Sequence, residues 1–126
     1  MTPTVLVVDD EFVIVDLIET ILTDAGYRVL TACNGKQGLA RLSGKKPDVI
    51  LLDFMMPILG GAEMLRAMAA EPAYQSIPVI IMSSLGEKVV AEKCMGYAAF
   101  LLKPFRATAV LSSVARVLGR AANDAA

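Results

Sequence analysis

The sequence predicts one α/β domain built on a doubly wound, five-stranded parallel sheet with helices on both faces. Three observations carry that reading. Short apolar runs led by β-branched residues, Thr4-Val-Leu-Val-Val8, Val49-Ile-Leu-Leu52 and Val79-Ile-Ile-Met82, suit strands buried on both faces. Stretches of helical periodicity alternate with them, over connections too short for anything but right-handed crossovers. Each run also ends in polar or charged residues, as a strand does where it leaves an apolar interior: Asp9-Asp10-Glu11, Asp53 and Ser83-Ser84.

The elements follow in order. After the first strand, Val13, Leu17, Ile21 and Leu22, with Ile14 and Ile18 alongside, recur at helical spacing from Phe12 to Ala25, and Gly26 closes that helix in the left-handed position. Arg28 to Ala32 reads as a short strand, and Asn34 caps a helix from about Gly35 to Leu42. Gly44-Lys-Lys-Pro47 returns the chain to the central strand. Gly60-Gly61 opens a helix through Ala70, stopped by Pro72. The fourth strand, Val79–Met82, leads to a short helix from about Glu87 to Met95. Phe100–Leu102 forms the fifth strand, ending at Lys103-Pro104. A last helix from about Ala107 to Leu118 buries Val110, Leu111, Val114, Val117 and Leu118, and the Ala-rich end beyond Gly119 is expected to fray. The expected core spans about residues 4–118 of a single domain covering 1–126.

Composition narrows the function. Twelve Lys and Arg against thirteen Asp and Glu leave a net charge of -1, so bulk charge favours neither nucleic acid nor an anionic membrane as partner. No apolar run approaches the roughly 20 residues a membrane helix needs. The N-terminus lacks a basic start or cleavage site, so a cytoplasmic protein is expected. Cys33 and Cys94 match no metal-ligand spacing and read as two small core residues.

The strand ends carry the chemistry. In an open doubly wound sheet, ligands bind at the carboxyl ends of the strands. Here those ends bear Asp9 and Asp10, Asp53, Ser83 and Lys103. Three carboxylates brought together repel one another unless a cation joins them, and oxygen donors without His or Cys suit Mg2+. Lys103 adds a second positive centre and Ser83 a hydroxyl, which makes a site for a phosphoryl group. A carboxylate flanked by Mg2+ and Lys can attack phosphorus to form an acyl phosphate. Asp53 stands at the centre of this reading, and because the chain has no His it receives phosphate rather than donating it from phosphohistidine. Taken singly, each residue has a plainer role: Asp9 or Asp10 as a helix cap, Asp53 before Pro57 as a turn residue, Lys103 as a solvated strand end, Phe100 as a core aromatic. Their joint occurrence at one sheet edge is what points to a site.

From about Thr4 to Leu118 the sequence resembles a stand-alone, chemotaxis-regulator-like receiver domain of the bacterial two-component response regulators. The motifs in register are Val-Val-Asp9-Asp10-Glu11, Asp53-Phe-Met-Met-Pro57 with Gly61, Met82-Ser83-Ser84 and Lys103-Pro104-Phe105. The resemblance implies a flavodoxin-like fold with strand order 2-1-3-4-5, for which a chemotaxis regulator is itself the known example. It implies that Asp53 is the phosphoacceptor, taking phosphate from a histidine kinase or a histidine phosphotransfer protein. Asp10, Asp53 and the backbone carbonyl of Met55 would bind Mg2+ directly, and Asp9 mainly through water. Ser83 would hydrogen-bond the phosphoryl group, Lys103 would pair with it, and the Lys103-Pro104 peptide would be cis. Ser83 and Phe100 would act as the switch that alters the surface of the fourth helix, fifth strand and fifth helix. That surface would control an unknown downstream protein or pass the phosphate on, from a monomer or a weak, phosphorylation-dependent dimer. Such a protein catalyses its own phosphorylation and dephosphorylation and is not a turnover enzyme.

Two departures shape the expectations. The segment from Ser83 to Lys103 is shorter than usual for the family, which concerns the fourth helix and the output face. Met55 and Leu85, two residues past Asp53 and Ser83, are apolar where polar residues would orient an attacking water, so a long-lived phosphoryl group is expected. A haloacid-dehalogenase type of enzyme would need a second acid where Met55 stands. A degenerate receiver serving as a phosphorylation-independent binding module is the stronger alternative. Nothing follows the last helix that would supply a DNA-binding output, so no nucleic-acid partner is expected.

Overall fold

The computed structural model describes residues 2–125. Its elements alternate strictly: β1 (Thr4–Val8), α1 (Phe12–Asp24), β2 (Arg28–Ala32), α2 (Gly35–Leu42), β3 (Val49–Asp53), α3 (Gly61–Ala69), β4 (Val79–Ser83), α4 (Glu87–Lys93), β5 (Ala99–Leu102) and α5 (Ala107–Ala125). All strand pairs are parallel, in the order β2-β1-β3-β4-β5. Every residue of β1, β3 and β4 is buried, which is why these strands read as unbroken apolar runs rather than alternating ones.

Period-2 geometry sends alternate side chains to two separate cores. Leu6, Val8, Ile50, Leu52 and Ile81 pack beneath α2, α3 and α4, with Leu42, Met64, Met68 and Val90 from the helices. Val5, Val7, Leu51, Ile80 and Met82 pack beneath α1 and α5, against Ile18, Leu22, Val110 and Val114. Helix ends follow the sequence signals at two sites. The Asn34 side chain accepts from the Gln37 N–H at 2.8 Å, and the Gln37 side chain in turn accepts from the Cys33 N–H. Gly26 adopts φ +95°, which lets its own N–H reach Thr23 O and the Tyr27 N–H reach Leu22 O, closing the last turn of α1.

Four sequence expectations need correction. The buried stripe of α1 is Val15, Ile18 and Leu22, whereas Val13 and Leu17 are 79% and 48% exposed. Eight apolar residues crowd the helix between Phe12 and Leu22, so the pattern marked a helix without deciding which face turned inward. α4 stops at Lys93, because Cys94 turns to extended backbone (φ -124°, ψ 138°) and Met95 lies exposed beyond it. α5 continues through Gly119 to Ala125 instead of ending at Leu118, consistent with the strong helix propensity of its Ala-rich end. Cys33 is exposed in the turn after β2, and only Cys94 belongs to the core.

Candidate functional site

Register places the acidic residues side by side. Val8 of β1 pairs with Leu52 of β3, so the next residue on each strand, Asp9 and Asp53, emerges at the same level of the sheet edge. Ser83 pairs with Leu102, which puts Lys103 one step beyond it on the outermost strand. Gly61 makes room directly below. A Cβ at that position would lie 2.5 Å from Asp53 O and 2.9 Å from Phe54 Cα, so only glycine lets α3 begin this close to the end of β3.

Carboxylate oxygens of Asp9, Asp10 and Asp53 lie within 4.8 Å of one another. Asp9 and Asp53 are buried and Asp10 is exposed. Lys103 reaches across from β5, its Nζ 2.8 Å from Asp9 Oδ2, 3.3 Å from Asp53 Oδ1 and 3.6 Å from Glu11 Oε1. Asp9 is therefore the closest anchor of the lysine, and its other oxygen accepts from the Glu11 N–H at 3.0 Å. The sequence singled out neither this pairing nor Glu11, whose one signal was its place in the same acidic turn.

Charge and burial compete at Asp53. Its carboxyl is pushed up from 3.8 to about 7, first by burial and then by the charge of Asp9, against the opposing pull of Lys103. Burial also works against the Lys103 ammonium, but the hydrogen bond to Asp9 and the charges of Asp53 and Asp9 outweigh it and hold its pKa above the usual value. The buried Ser83 Oγ accepts from the Leu85 N–H at 2.9 Å, an arrangement that leaves its own proton to donate. Asp53, Ser83 and Lys103 line a cleft of about 410 Å3 whose apolar walls include Ile14, Leu17 and Phe105. The Met55 side chain lies at its rim, 64% exposed. Phe100 is half-buried against the core beneath α2, α3 and α4, away from the cleft. The Lys103-Pro104 peptide is cis.

The donor set fits a hard divalent cation: three converging carboxylates, with one face open at Asp10 and neither His nor Cys among them. Such an ion would offset the repulsion among Asp9, Asp10 and Asp53, which adds to burial in raising the Asp53 carboxyl. Among the described residues, no helix is long and apolar enough to cross a membrane.

Comparison with known proteins agrees with this geometry. The sequence matches the family model of the response regulator receiver domain over residues 5–115. It is 34% identical over 119 residues to the phosphate regulon transcriptional regulatory protein PhoB of Pseudomonas aeruginosa, covering 93% of this chain and 52% of that protein. The chain thus spans about half the length of the curated relatives it matches. The structure is similar to the chemotaxis response regulator CheY4 of Vibrio cholerae, with a TM-score of 0.86 and 33% identity over 93% of this chain and 99% of that one. It is also similar to the receiver domain of the sensor histidine kinase PA1611 of Pseudomonas aeruginosa, solved with magnesium in its active site cleft, at a TM-score of 0.87 and 27% identity over 94% and 99% of the two chains. The chain belongs to the response regulator receiver domain family.

Proposed function

We propose that this receiver domain accepts a phosphoryl group on Asp53 from the phosphohistidine of a kinase or a phosphotransfer protein in the cytoplasm, and signals by the resulting change of surface. The observation that carries the reading is the convergence of Lys103 Nζ on Asp9 and Asp53, at 2.8 and 3.3 Å, beside a third carboxylate. In the proposed step an Asp53 oxygen attacks phosphorus, the phosphorus–nitrogen bond breaks, and its electron pair leaves on the donor imidazole. Lys103, already held above its ordinary pKa, stays charged and pairs with the oxygens of the transferred group. Ser83 donates its hydroxyl proton to one of those oxygens.

Asp10, Asp53 and the Met55 carbonyl would hold Mg2+, with Asp9 assisting through water. Bound there, Mg2+ supplies positive charge that neutralises the phosphoryl oxygens. The protein promotes its own modification and turns over no external substrate. Leu17 of α1, half-exposed at the wall of the cleft, would meet the donor protein there. Ser83 and Phe100 would carry the signal to the surface of α4, β5 and α5. α4 is poised for this, because it is seven residues long and fully buries only Val90, an anchor worth about 1.5–3 kcal/mol.

Intact mass after incubation with Mg2+ and acetyl phosphate tests the reading. One phosphoryl gain is expected, absent without Mg2+ and absent from Asp53→Asn. No gain in the parent protein would leave a binding module that does not use phosphate.

A further inference from the structure

One hydrogen bond ties the first turn of α4 to the chain that follows the helix. The Tyr97 hydroxyl donates to Glu87 Oε2 at 3.2 Å, across ten positions of sequence. The two ends of this bond are mounted differently. The Tyr97 ring, half-buried, packs against the core beneath α2, α3 and α4, and the next N–H, that of Ala98, donates to Val79 O at 2.7 Å where β4 begins. Tyr97 is therefore fixed to the sheet. Glu87 is exposed, Gly86 before it supplies no side-chain cap, and Val90 is the only residue of the helix that is buried. The start of α4 is held in place largely through Tyr97.

That end of the helix adjoins Ser83. The Ser83 Oγ accepts from the Leu85 N–H at 2.9 Å, so the hydroxyl that would turn toward a phosphoryl group also holds the loop leading into α4. Gly86 alone separates Leu85 from Glu87. A shift of Ser83 toward Asp53 is passed along this short path to the Glu87 carboxylate. The bond it meets there is already long, since O–H···O bonds ordinarily end near about 3.0 Å, and a small displacement breaks it. A contact present in the resting arrangement and lost in the occupied one opposes occupancy by the free energy of that contact.

We propose that the Tyr97–Glu87 bond is a latch, closed at rest and opened when Ser83 turns to the phosphoryl group, so that one contact both restrains α4 and slows loading of the site. The latch rests on the phosphate chemistry proposed above. Hydrogen exchange of the α4 amides and calorimetric titration with beryllofluoride in excess Mg2+ test it. Tyr97→Phe keeps the packed ring and removes only the donor. It should speed exchange from Val90 to Cys94 by at least about threefold, and should tighten beryllofluoride binding by up to the same factor. A bond that merely supported the fold would leave that affinity unchanged or weaken it. Glu87→Gln, which retains an acceptor oxygen, should stay near the parent, and adding Tyr97→Phe to Glu87→Ala should change nothing further. In the parent, beryllofluoride should itself speed α4 exchange, and in Tyr97→Phe it should do so less. Equal or weaker binding by Tyr97→Phe, or an effect that multiplies with that of Glu87→Ala, overturns the latch while leaving the phosphate site intact. Beryllofluoride that binds neither protein refutes the site, and the latch with it.

Discussion

Burial, with the charges of Asp9 and Asp10 beside it, holds the Asp53 carboxyl above its ordinary range, and this makes stability depend on pH. Between 3.8 and about 7 the folded protein keeps a proton on Asp53 that the unfolded chain has already released. The unfolded state then binds fewer protons, so stability falls as pH rises through this window and levels off above it, by at most on the order of 4 kcal/mol. Urea unfolding of the metal-free protein at about pH 5 and about pH 8 should show the decline, and Asp53→Asn should remove most of it. Mg2+ should add more stability at the higher pH, where it need not displace a proton; an equal gain at both would contradict the assignment. Met55 supports a second prediction at this scale. Its exposed apolar side chain at the cleft rim cannot orient a water molecule, so Met55→Asn should shorten the lifetime of the phosphoprotein by at least about tenfold. Label loss that is rapid in the parent protein and unchanged in the variant would count against it.

Elements were legible where one signal sufficed and ambiguous where several competed. Asn34 and Gly26 marked helix ends by chemistry that acts within a few residues, and the structure has both. The inward face of α1 depended on tertiary packing, because Val13 and Leu17 fit an apolar stripe as well as Val15 and Ile18 do. Glycines show the same division. Gly61 and Gly119 look alike in sequence, yet a Cβ on Gly61 would meet the backbone of Asp53 at 2.5 Å, while one on Gly119 would meet nothing within 4 Å. Gly61→Ala should therefore destabilise by about 1–3 kcal/mol. Gly119→Ala, inside α5, should stabilise by about 0.5–1 kcal/mol. Denaturant melts of the two variants compare them directly, and the same sign for both would show that the crowding at the end of β3 is misjudged.

Across the whole molecule, the runs of apolar residues announced a parallel sheet, but they did not order its strands. Order 2-1-3-4-5 followed from the family resemblance, and it is what gathers the site: β1 and β3 are neighbours, so Asp9 and Asp53 meet, and the length of Lys103 spans the gap from β5. The sequence could name the site's residues because each ends a strand. It could not show that Asp9 holds the lysine most closely, or that Glu11 joins them, since both depend on side-chain directions settled by packing. The most direct test of the central claim is to treat the protein with Mg2+ and acetyl phosphate, reduce it with borohydride, and map the peptides by mass. Reduction turns an acyl-phosphorylated aspartate into homoserine. The account predicts homoserine in place of Asp53 and nowhere else; homoserine in place of Asp9 or Asp10, or none at all, would contradict it.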